Sequence, residues 1–324
     1  MNSSNETVIV AGGRGFIGAH LTAALLRAEF NVISIDSGLF EPATVFLEHC
    51  LSPRLVDLKI DASDYDALLS SIELNRSPKA VINCVGPARP SYYLENPIST
   101  ATTLTNVTNS LLKLAVHFET RYIHASSSET YGNIINETAA EDNVGRVNAL
   151  SLRSAYAEAK RFCETLVISY LHEKKIAAII LRLFNAYGPG FSPDDDRVIP
   201  AFIHSILSNK AVEIYGSGAQ IRSFCFIDDI VRAFSSSLLC NCSSLYCLNV
   251  GNPEPISILN LAKLTGQLLH RKIEIQHAEA RQDEVEQRVP NISRAQDVLG
   301  WKPEIMLREG LKKTLSHYFP LEDI

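Results

Sequence analysis

Short apolar runs alternate with longer helical patterns through roughly the first 180 residues, and this alternation limits the fold more than any other feature. Several of the runs, such as VIVA and AIIL, contain no polar residue. Continuous apolar runs are typical of strands buried on both faces of a parallel sheet covered by helices. We therefore predict an α/β fold with a doubly wound parallel sheet. Its strands are predicted at 7–12, 31–36, 56–62, 80–86, 121–127 and 177–183, with helices at 16–29, 64–74, 97–118 and 154–173.

The composition argues against several other classes of protein. The 324 residues carry 30 basic and 36 acidic side chains, a formal net charge of −6, whereas nucleic-acid binding usually needs a basic surface. No apolar run approaches the roughly 20 residues that span a bilayer, and the N-terminus lacks the basic region of a signal peptide. Seven cysteines without an export signal favour free thiols, and the spacing of Cys240, Cys242 and Cys247 matches no common zinc site. We expect a cytoplasmic protein with no metal, no nucleic-acid partner and no membrane partner.

A glycine-rich loop, GGRGFIG at 12–18, connects the first predicted strand to the first predicted helix. Glycines at these positions allow a tight turn and a close approach of the backbone to a pyrophosphate, which then faces the helix N-terminus. Asp36 ends the second strand, where a carboxylate can accept hydrogen bonds from the adenosine ribose and would repel a 2′-phosphate. The pattern predicts a Rossmann-type domain that binds NAD rather than NADP, although Arg14 in the loop is a cation that could meet a 2′-phosphate.

The third strand ends at Asp61, which suits either a contact with the adenine edge or a helix cap. With it, the predicted cofactor contacts are Gly12, Gly15, Phe16, Ile17, Gly18, Asp36, Asp61 and Lys160.

The pattern becomes less regular beyond residue 184. The segment 185–200, NAYGPGFSPDDDRVIP, is rich in Pro, Gly and Asp, as loops are. Shorter strand and helix patterns follow it. We expect residues 1–184 to form the NAD-binding domain, joined by a returning segment near 224–250. Residues 185–324 would mainly form a smaller, mixed substrate domain.

A second motif, YAEAK, places Tyr156 and Lys160 four residues apart, on one face of a predicted helix. A free tyrosine has a pKa near 10, but a nearby ammonium favours the phenolate and lowers that pKa. Ser126, Ser127 and Ser128 follow a strand at the carboxyl edge of the sheet, where ligands bind in such folds. A serine hydroxyl there can hydrogen-bond a substrate oxygen while Tyr156 takes its proton. The combination predicts transfer of a hydride to a nicotinamide.

On these motifs the chain resembles the extended short-chain dehydrogenases/reductases of the NAD-dependent nucleotide-sugar epimerase/dehydratase family. SSSETYG (126–132), RLFNAYGPG (182–190) and LGWKPEIMLREGL (299–311) add to the likeness, which covers nearly the whole chain. The resemblance implies a nucleotide-sugar substrate and assigns the catalytic roles to Ser127, Tyr156 and Lys160. It places the glutamate of the family's serine motif at Glu129.

One subgroup, the UDP-glucuronate decarboxylases (UDP-xylose synthases), is similar in the stretch VGPARPSYYLENPIST at 85–100. The likeness implies oxidation at sugar carbon 4, loss of carbon dioxide from the resulting β-keto acid, and return of the hydride. It implies a substrate-side role for Glu129 and substrate contacts at Pro87, Tyr93, Asn185, Arg222 and Arg288.

Three other interpretations stay open at this point. A nucleotide-sugar 4-epimerase would use the same oxidation, followed by rotation of the keto sugar. A 4,6-dehydratase would need Asp where this chain has Ser128. A non-catalytic sensor would need a broken catalytic set, whereas Ser127, Tyr156 and Lys160 are all present.

The resemblance also implies a homodimer, formed through the helices predicted at 97–118 and 154–173. The residues that could supply an apolar stripe for this contact are Leu104, Leu111, Leu112, Leu114, Ala115, Phe162, Leu166 and Val167.

Overall fold

The predicted apolar runs form the strands of one large sheet. The computed structural model describes residues 6–72, 77–134, 138–192, 195–241, 246–280 and 285–318. The strands within these ranges are β1 Thr7–Ala11, β2 Asn31–Asp36, β3 Leu55–Lys59, β4 Ala80–Asn83, β5 Arg121–Ser127, β6 Ala178–Leu183, β7 Ala186–Tyr187, β8 Val212–Tyr215, β9 Ile221–Arg222, β10 Cys225–Phe226, β11 Tyr246–Val250, β12 Ile256–Ser257, β13 Ile275–Ala278 and β14 Gln287–Arg288.

Seven of these strands pair in the order β11-β6-β5-β4-β1-β2-β3, and every pair is parallel. The order reverses direction between β1 and β4, as it does in a doubly wound sheet. The predicted fold class is therefore confirmed. The remaining strands form three smaller sheets, β7 with β10, β8 with β13, and β9 between β12 and β14.

Helices cover both faces of the large sheet, because successive residues of a buried strand point to opposite sides. In β1, Val8 and Val10 belong to one hydrophobic core, while Ile9 and Ala11 belong to another. The helices are α1 Phe16–Arg27, α2 Thr44–Leu47, α3 Tyr65–Ser71, α4 Pro90–Glu95, α5 Pro97–His117, α6 Ser154–Lys174, α7 Val198–Leu207, α8 Ile227–Leu239, α9 Ile258–Leu268, α10 Ser293–Leu299 and α11 Leu307–Tyr318, with a 3₁₀ turn at Ser128–Tyr131.

The four helices predicted for the first half correspond to α1, α3, α5 and α6. The largest difference is at 64–74, where α3 begins after the N-cap Asp64 and ends at Ser71. Residues 73 and 74 of that prediction lie outside the described part of the chain. Within the described residues, no helix combines the length and apolar character needed to cross a bilayer.

The apolar stripe expected for a dimer contact lies mostly inside the chain itself. Helices α5 and α6 pack against each other and the sheet. Six of the eight residues are buried by this packing, namely Leu104, Leu111, Leu112, Leu114, Ala115 and Val167. Leu166 is half-buried, and Phe162 is the one that stays largely exposed. These six residues are therefore not available for a dimer contact, contrary to the predicted stripe: five pack in the core against the sheet, and Leu104 packs beside Tyr93 and Tyr156.

The expectation of free thiols is correct for most of the described cysteines but wrong for Cys240. Cys240 is disulfide-bonded, whereas the free thiols are Cys50, Cys84, Cys163, Cys225 and Cys247. Cys242 lies outside the described residues.

The start of α8 anchors the segment that leads to the C-terminal helices. Asp229 is fully buried, and its Oδ2 accepts hydrogen bonds from the backbone N–H groups of Glu304 at 3.1 Å and Ile305 at 3.0 Å. Its other oxygen accepts a 2.5 Å hydrogen bond from Arg232, and its backbone carbonyl accepts one from the indole of Trp301. One carboxylate thus satisfies donors from two separate parts of the chain.

We predict that Asp229→Ala lowers the free energy of unfolding by about 3 kcal/mol, because it leaves buried N–H groups without an acceptor. Asp228→Ala is the matched control, since Asp228 lies in the same helical turn but is exposed. That control should change stability by less than about 0.5 kcal/mol. Urea unfolding followed by circular dichroism measures both, and equal effects would contradict the assignment.

Candidate active site

A cavity of about 480 Å³ opens at the carboxyl edge of the large sheet. It lies on the side where the strand order reverses, which is where ligands bind in open α/β sheets. The lining includes residues that follow β4 and β5 and residues from α6 and α7. Arg222 of β9 and Arg288 of β14 line it as well. Sequence segments far apart in the chain therefore meet at one cleft.

Ser127, Tyr156 and Lys160 all line this cavity. Ser127 is the last residue of β5, and the other two lie in the first two turns of α6. Lys160 is buried, and its Nζ donates hydrogen bonds to the carbonyl oxygens of Ala125 at 2.7 Å and Val85 at 3.5 Å. The structure thus brings together the three residues that the sequence singled out, with the ammonium fixed at the ends of two strands.

The phenol of Tyr156 lies in an apolar environment. Its ring stacks on that of Tyr93, with centroids 5.3 Å apart and planes 20° from parallel. Burial raises the pKa of Tyr156 above its ordinary value, while a side-chain hydrogen bond with Ser127 lowers it by a smaller amount. The net shift is therefore upward, opposite to the fall expected beside an ammonium, because loss of hydration outweighs the interactions that lower the pKa.

A buried ion pair ties α6 to the sheet. The Glu164 carboxylate binds Arg182 of β6 through two hydrogen bonds, of 2.9 Å to Nε and 2.7 Å to Nη2. The same carboxylate accepts a 2.6 Å hydrogen bond from the hydroxyl of Ser126, next to Ser127. The helix with Tyr156 is therefore held directly against the strand with Ser127.

Three arginines surround the carboxylate of Glu129, just beyond the end of β5. Arg288 binds one of its oxygens through a short ion pair, and Arg153 approaches the same oxygen at 3.4 Å. Burial would raise the pKa of Glu129, but the charges of Arg288, Arg153 and Arg222 together lower it to about 2. Glu129 is therefore a carboxylate at neutral pH.

Arg222 and Arg288 are neighbours, because β9 and β14 pair in parallel with these two residues in register. Both side chains are buried. Within the described residues, the Nε and Nη2 groups of Arg288 are buried and have no hydrogen-bond partner. A guanidinium with unused donors beside a cavity is suited to bind an anion through paired hydrogen bonds.

The glycine loop after β1 has the close contacts that a dinucleotide loop requires. Gly12 has φ of +75°, and a Cβ there would lie 2.9 Å from the backbone of Cys84. A Cβ on Gly18 would lie 2.0 Å from the carbonyl oxygen of Gly12. Helix α1 begins at Phe16, and its N-cap residue is Gly15, which has no side chain that could cap the helix. The positive end of the helix therefore faces the crevice uncapped by a side chain, which fits a bound pyrophosphate.

Only some of the other predicted contact residues line this cleft. Asp36 accepts hydrogen bonds from the backbone N–H groups of Gly38 at 2.9 Å and Arg14 at 3.3 Å. Asp61 is exposed and accepts one from the Ser63 N–H at 2.9 Å. Among the predicted contacts that line the cavity are Ile17, Tyr93, Asn185, Arg222 and Arg288, whereas the described lining does not include Pro87.

Two arginines of the site did not emerge from the sequence. Arg153 lies three residues before Tyr156, about one helical turn earlier, and that spacing is the signal that could have found it. The guanidinium carbon of Arg197 lies 5.1 Å from the centre of the Phe16 ring, and the guanidinium forms an ion pair with Asp195. Its approach to the glycine loop is a tertiary contact with no local signal. The described residues contain no cluster of His, Cys, Asp or Glu that could hold a metal ion.

The sequence of this chain is similar to those of known proteins along most of its length. Residues 8–240 match the model of the NAD dependent epimerase/dehydratase family. The chain is 35% identical over 308 residues to UDP-glucuronic acid decarboxylase 3 of Arabidopsis thaliana, covering 95% of this chain and 87% of that protein. It is 33% identical over 313 residues to UDP-glucuronic acid decarboxylase 1 of Danio rerio, covering 97% of this chain and 72% of that protein.

A solved structure is also similar along nearly the whole chain. It is the UDP-glucuronic acid 4-epimerase of Bacillus cereus in complex with UDP-glucuronic acid and NAD. The TM-score is 0.85 at 26% identity, with 96% of this chain and 98% of that one covered.

The arginines around Glu129 predict a specific acid sensitivity. The pKa of about 2 lies below the ordinary 4.5, so the stabilisation is complete above about pH 4.5 and is lost as the pH falls towards 2. Glu129→Gln should cost about 3 kcal/mol of unfolding free energy at pH 7. The difference in unfolding free energy between Glu129→Gln and the parent protein should shrink progressively below pH 4.5.

Urea unfolding at pH 7, 4 and 3 measures this effect. Glu158→Gln is the control, because its ion pair with Arg161 has a 3.5 Å separation and lies at the surface. A deficit for Glu129→Gln that does not change with pH would contradict the proposed ion pairing.

Proposed function

Since the chain belongs to the NAD-dependent epimerase/dehydratase family, we propose that it modifies a nucleotide sugar by transient oxidation at sugar carbon 4. The reaction we propose is decarboxylation of UDP-glucuronate to UDP-xylose. The observation that carries this proposal is the meeting of Ser127, Tyr156 and Lys160 with buried arginines in one cavity. The 35% identity to a UDP-glucuronic acid decarboxylase supports the choice of reaction.

In this proposal Tyr156 is the acid and base of the redox step. As a phenolate, Tyr156 takes the proton of the carbon-4 hydroxyl, while Ser127 hydrogen-bonds the same oxygen and holds it in place. The positive charges of Lys160 and, when NAD is bound, of the nicotinamide ring would favour this phenolate against the cost of burial. NAD, when bound, would supply the acceptor for the hydride of carbon 4 and the donor that returns it. Lys160 supplies a fixed positive charge at the ends of β4 and β5. Its Nζ lies 6.0 Å from the centre of the Tyr156 ring. Stacking on Tyr93 excludes water from the phenol.

Loss of carbon dioxide then needs little beyond orientation of the oxidised sugar. The ketone at carbon 4 makes the substrate a β-keto acid, so the electrons of the breaking bond to the carboxyl carbon are delocalised onto the ketone oxygen. Ser127 and Tyr156 can hydrogen-bond that oxygen. We propose that Arg222 and Arg288 bind the negative charges of the substrate, and that Glu129 orients the sugar beside them.

We propose that the cofactor is NAD rather than NADP. The Asp36 carboxylate at the end of β2 suits the hydroxyls of an adenosine ribose and would repel a 2′-phosphate. We assign cofactor binding to residues 1–184 with the returning segment 224–250, and binding of the nucleotide sugar mainly to residues 185–324.

A 4-epimerase is the second candidate, and the likeness to the Bacillus cereus UDP-glucuronic acid 4-epimerase favours it. Both reactions share the first oxidation. UDP-glucuronate labelled at the carboxyl carbon separates them. A decarboxylase releases labelled carbon dioxide and forms UDP-xylose, whereas an epimerase retains the label in UDP-galacturonate. Retention of the label would reject decarboxylation.

The role of Tyr156 leads to a direct prediction. Tyr156→Phe removes the group that transfers the proton, so turnover of UDP-glucuronate should fall about 100-fold or more. NAD should still be retained, which mass spectrometry of the nucleotide released on denaturation detects. Tyr170→Phe is the matched control, because Tyr170 lies on the same helix and bonds Asn109. If Tyr156→Phe and Tyr170→Phe had equal activity, the phenol would have no catalytic role.

We further propose a homodimer that pairs through the exposed faces of α5 and α6. Ile98 on α5 is 81% exposed, and Phe162 and Ile168 on α6 are about half exposed. These side chains give two adjacent helices an apolar outer face.

Phe162→Glu should convert the dimer to a monomer, halving the mass measured by light scattering after gel filtration. Leu239→Glu is the control, since Leu239 is 66% exposed at the end of α8 and should leave the dimer intact. A parent protein that elutes as a monomer would reject the dimer.

A further inference from the structure

Arg14 is the one charged residue of the glycine loop, and its side chain is bound on several sides. Its guanidinium forms two hydrogen bonds with the Asp57 carboxylate, of 2.5 Å from Nη2 and 3.2 Å from Nε. The guanidinium carbon lies 5.8 Å from the centre of the buried Phe46 ring. The Arg14 carbonyl accepts a hydrogen bond from the Ala43 N–H at 2.9 Å. The guanidinium is therefore oriented by a paired carboxylate and an aromatic face.

The register of the sheet shows in which direction Asp57 draws this cation. Asp36 and Lys59 are paired at the carboxyl ends of β2 and β3. Asp57 pairs with Ser34, two residues back along the strands, or roughly 7 Å from the edge. Ligands of open α/β sheets bind beyond the carboxyl edge. The ion pair thus draws the guanidinium towards β3.

The Arg14 backbone N–H, by contrast, stays at the edge and contacts Asp36 at 3.3 Å. The Arg14 backbone N–H therefore contacts Asp36, the carboxylate that suits a ribose, whereas the Arg14 guanidinium binds Asp57. A free guanidinium at this place would offset the charge of Asp36 and offer paired donors to a phosphate. The Arg14 guanidinium still interacts with the charge of Asp36, which helps to raise the pKa of Arg14, but its Nε and Nη2 donors are engaged by Asp57 and are not offered to a phosphate.

We propose that Asp57 is a specificity residue for the dinucleotide: by binding Arg14 it withholds the cation of the loop from a 2′-phosphate, and so favours NAD over NADP. This inference rests on the proposed use of NAD. Asp57 acts through Arg14 and has no contact with the reacting atoms. A purely structural role for the pair would stabilise the loop without changing the choice of dinucleotide.

The test compares the two dinucleotides on the same protein. Each variant is incubated with equal excess concentrations of NAD and NADP and freed of unbound nucleotide by gel filtration. Mass spectrometry of the denatured protein then gives the retained ratio of NADP to NAD. We expect the parent to retain NAD almost exclusively, and Asp57→Asn to raise the ratio about tenfold, the effect of one gained charge-assisted contact.

Three controls separate the mechanism from general effects of charge. Arg14→Ala combined with Asp57→Asn should return the ratio to that of the parent, because Asp57 acts through Arg14. Arg14→Ala alone should also match the parent. Asp66→Asn removes one exposed acidic charge from the neighbouring α3 and should have no effect. Thermal unfolding confirms that each variant is folded, and Asp57→Ala replaces Asp57→Asn if that variant is not.

The outcomes separate this inference from the proposed function. An unchanged ratio in a folded Asp57 variant overturns the inference, and so does an increase that persists in the double variant. If the parent retains neither dinucleotide, the proposed cofactor fails and the inference fails with it. If the parent retains NAD while the Asp57 variant shows no increase, the inference alone is wrong.

Discussion

The Glu164 carboxylate joins the helix that carries Tyr156 and Lys160 to the strand that ends in Ser127. It binds Arg182 with two hydrogen bonds and takes a third from Ser126. Both partners of the ion pair are mostly buried, so removing either would leave an uncompensated charge at a cost of about 3–5 kcal/mol. The spacing between phenol and hydroxyl thus depends on an interaction that itself takes no part in the chemistry we propose.

The cleft differs in charge from the protein as a whole. The chain carries a net charge of −6, yet arginines and a buried lysine converge on the cavity. Glu129 is the carboxylate around which three of those arginines gather. Among the described residues, two buried donors of Arg288 still have no partner. A pocket of this kind attracts a ligand with several negative charges, while the acidic exterior does not compete for it. The proposed nucleotide-sugar substrate has that distribution of charge.

Much of the fold could be predicted because its signals are local. Apolar runs of strand length mark β1, β4 and β6, and the glycine loop marks the turn into α1. Chain order and parallel pairing then suffice to bring Ser127 and Tyr156 to one edge. What could not be predicted depends on burial and long-range contacts. Three features follow from packing, which the spacing of residues along the sequence does not reveal. They are the raised pKa of Tyr156, the pairing of Arg14 with Asp57, and the burial of the leucines of α5.

The last strand of the large sheet comes late in the chain. β11, Tyr246–Val250, pairs with β6, Ala178–Leu183, after more than sixty intervening residues have built α7, α8 and the strands between them. Until Val250 has left the ribosome, β6 presents an open row of backbone donors and acceptors, which is a template for pairing with another chain. During synthesis, the nascent protein therefore has to protect its sheet from aggregation before it can complete the seventh strand.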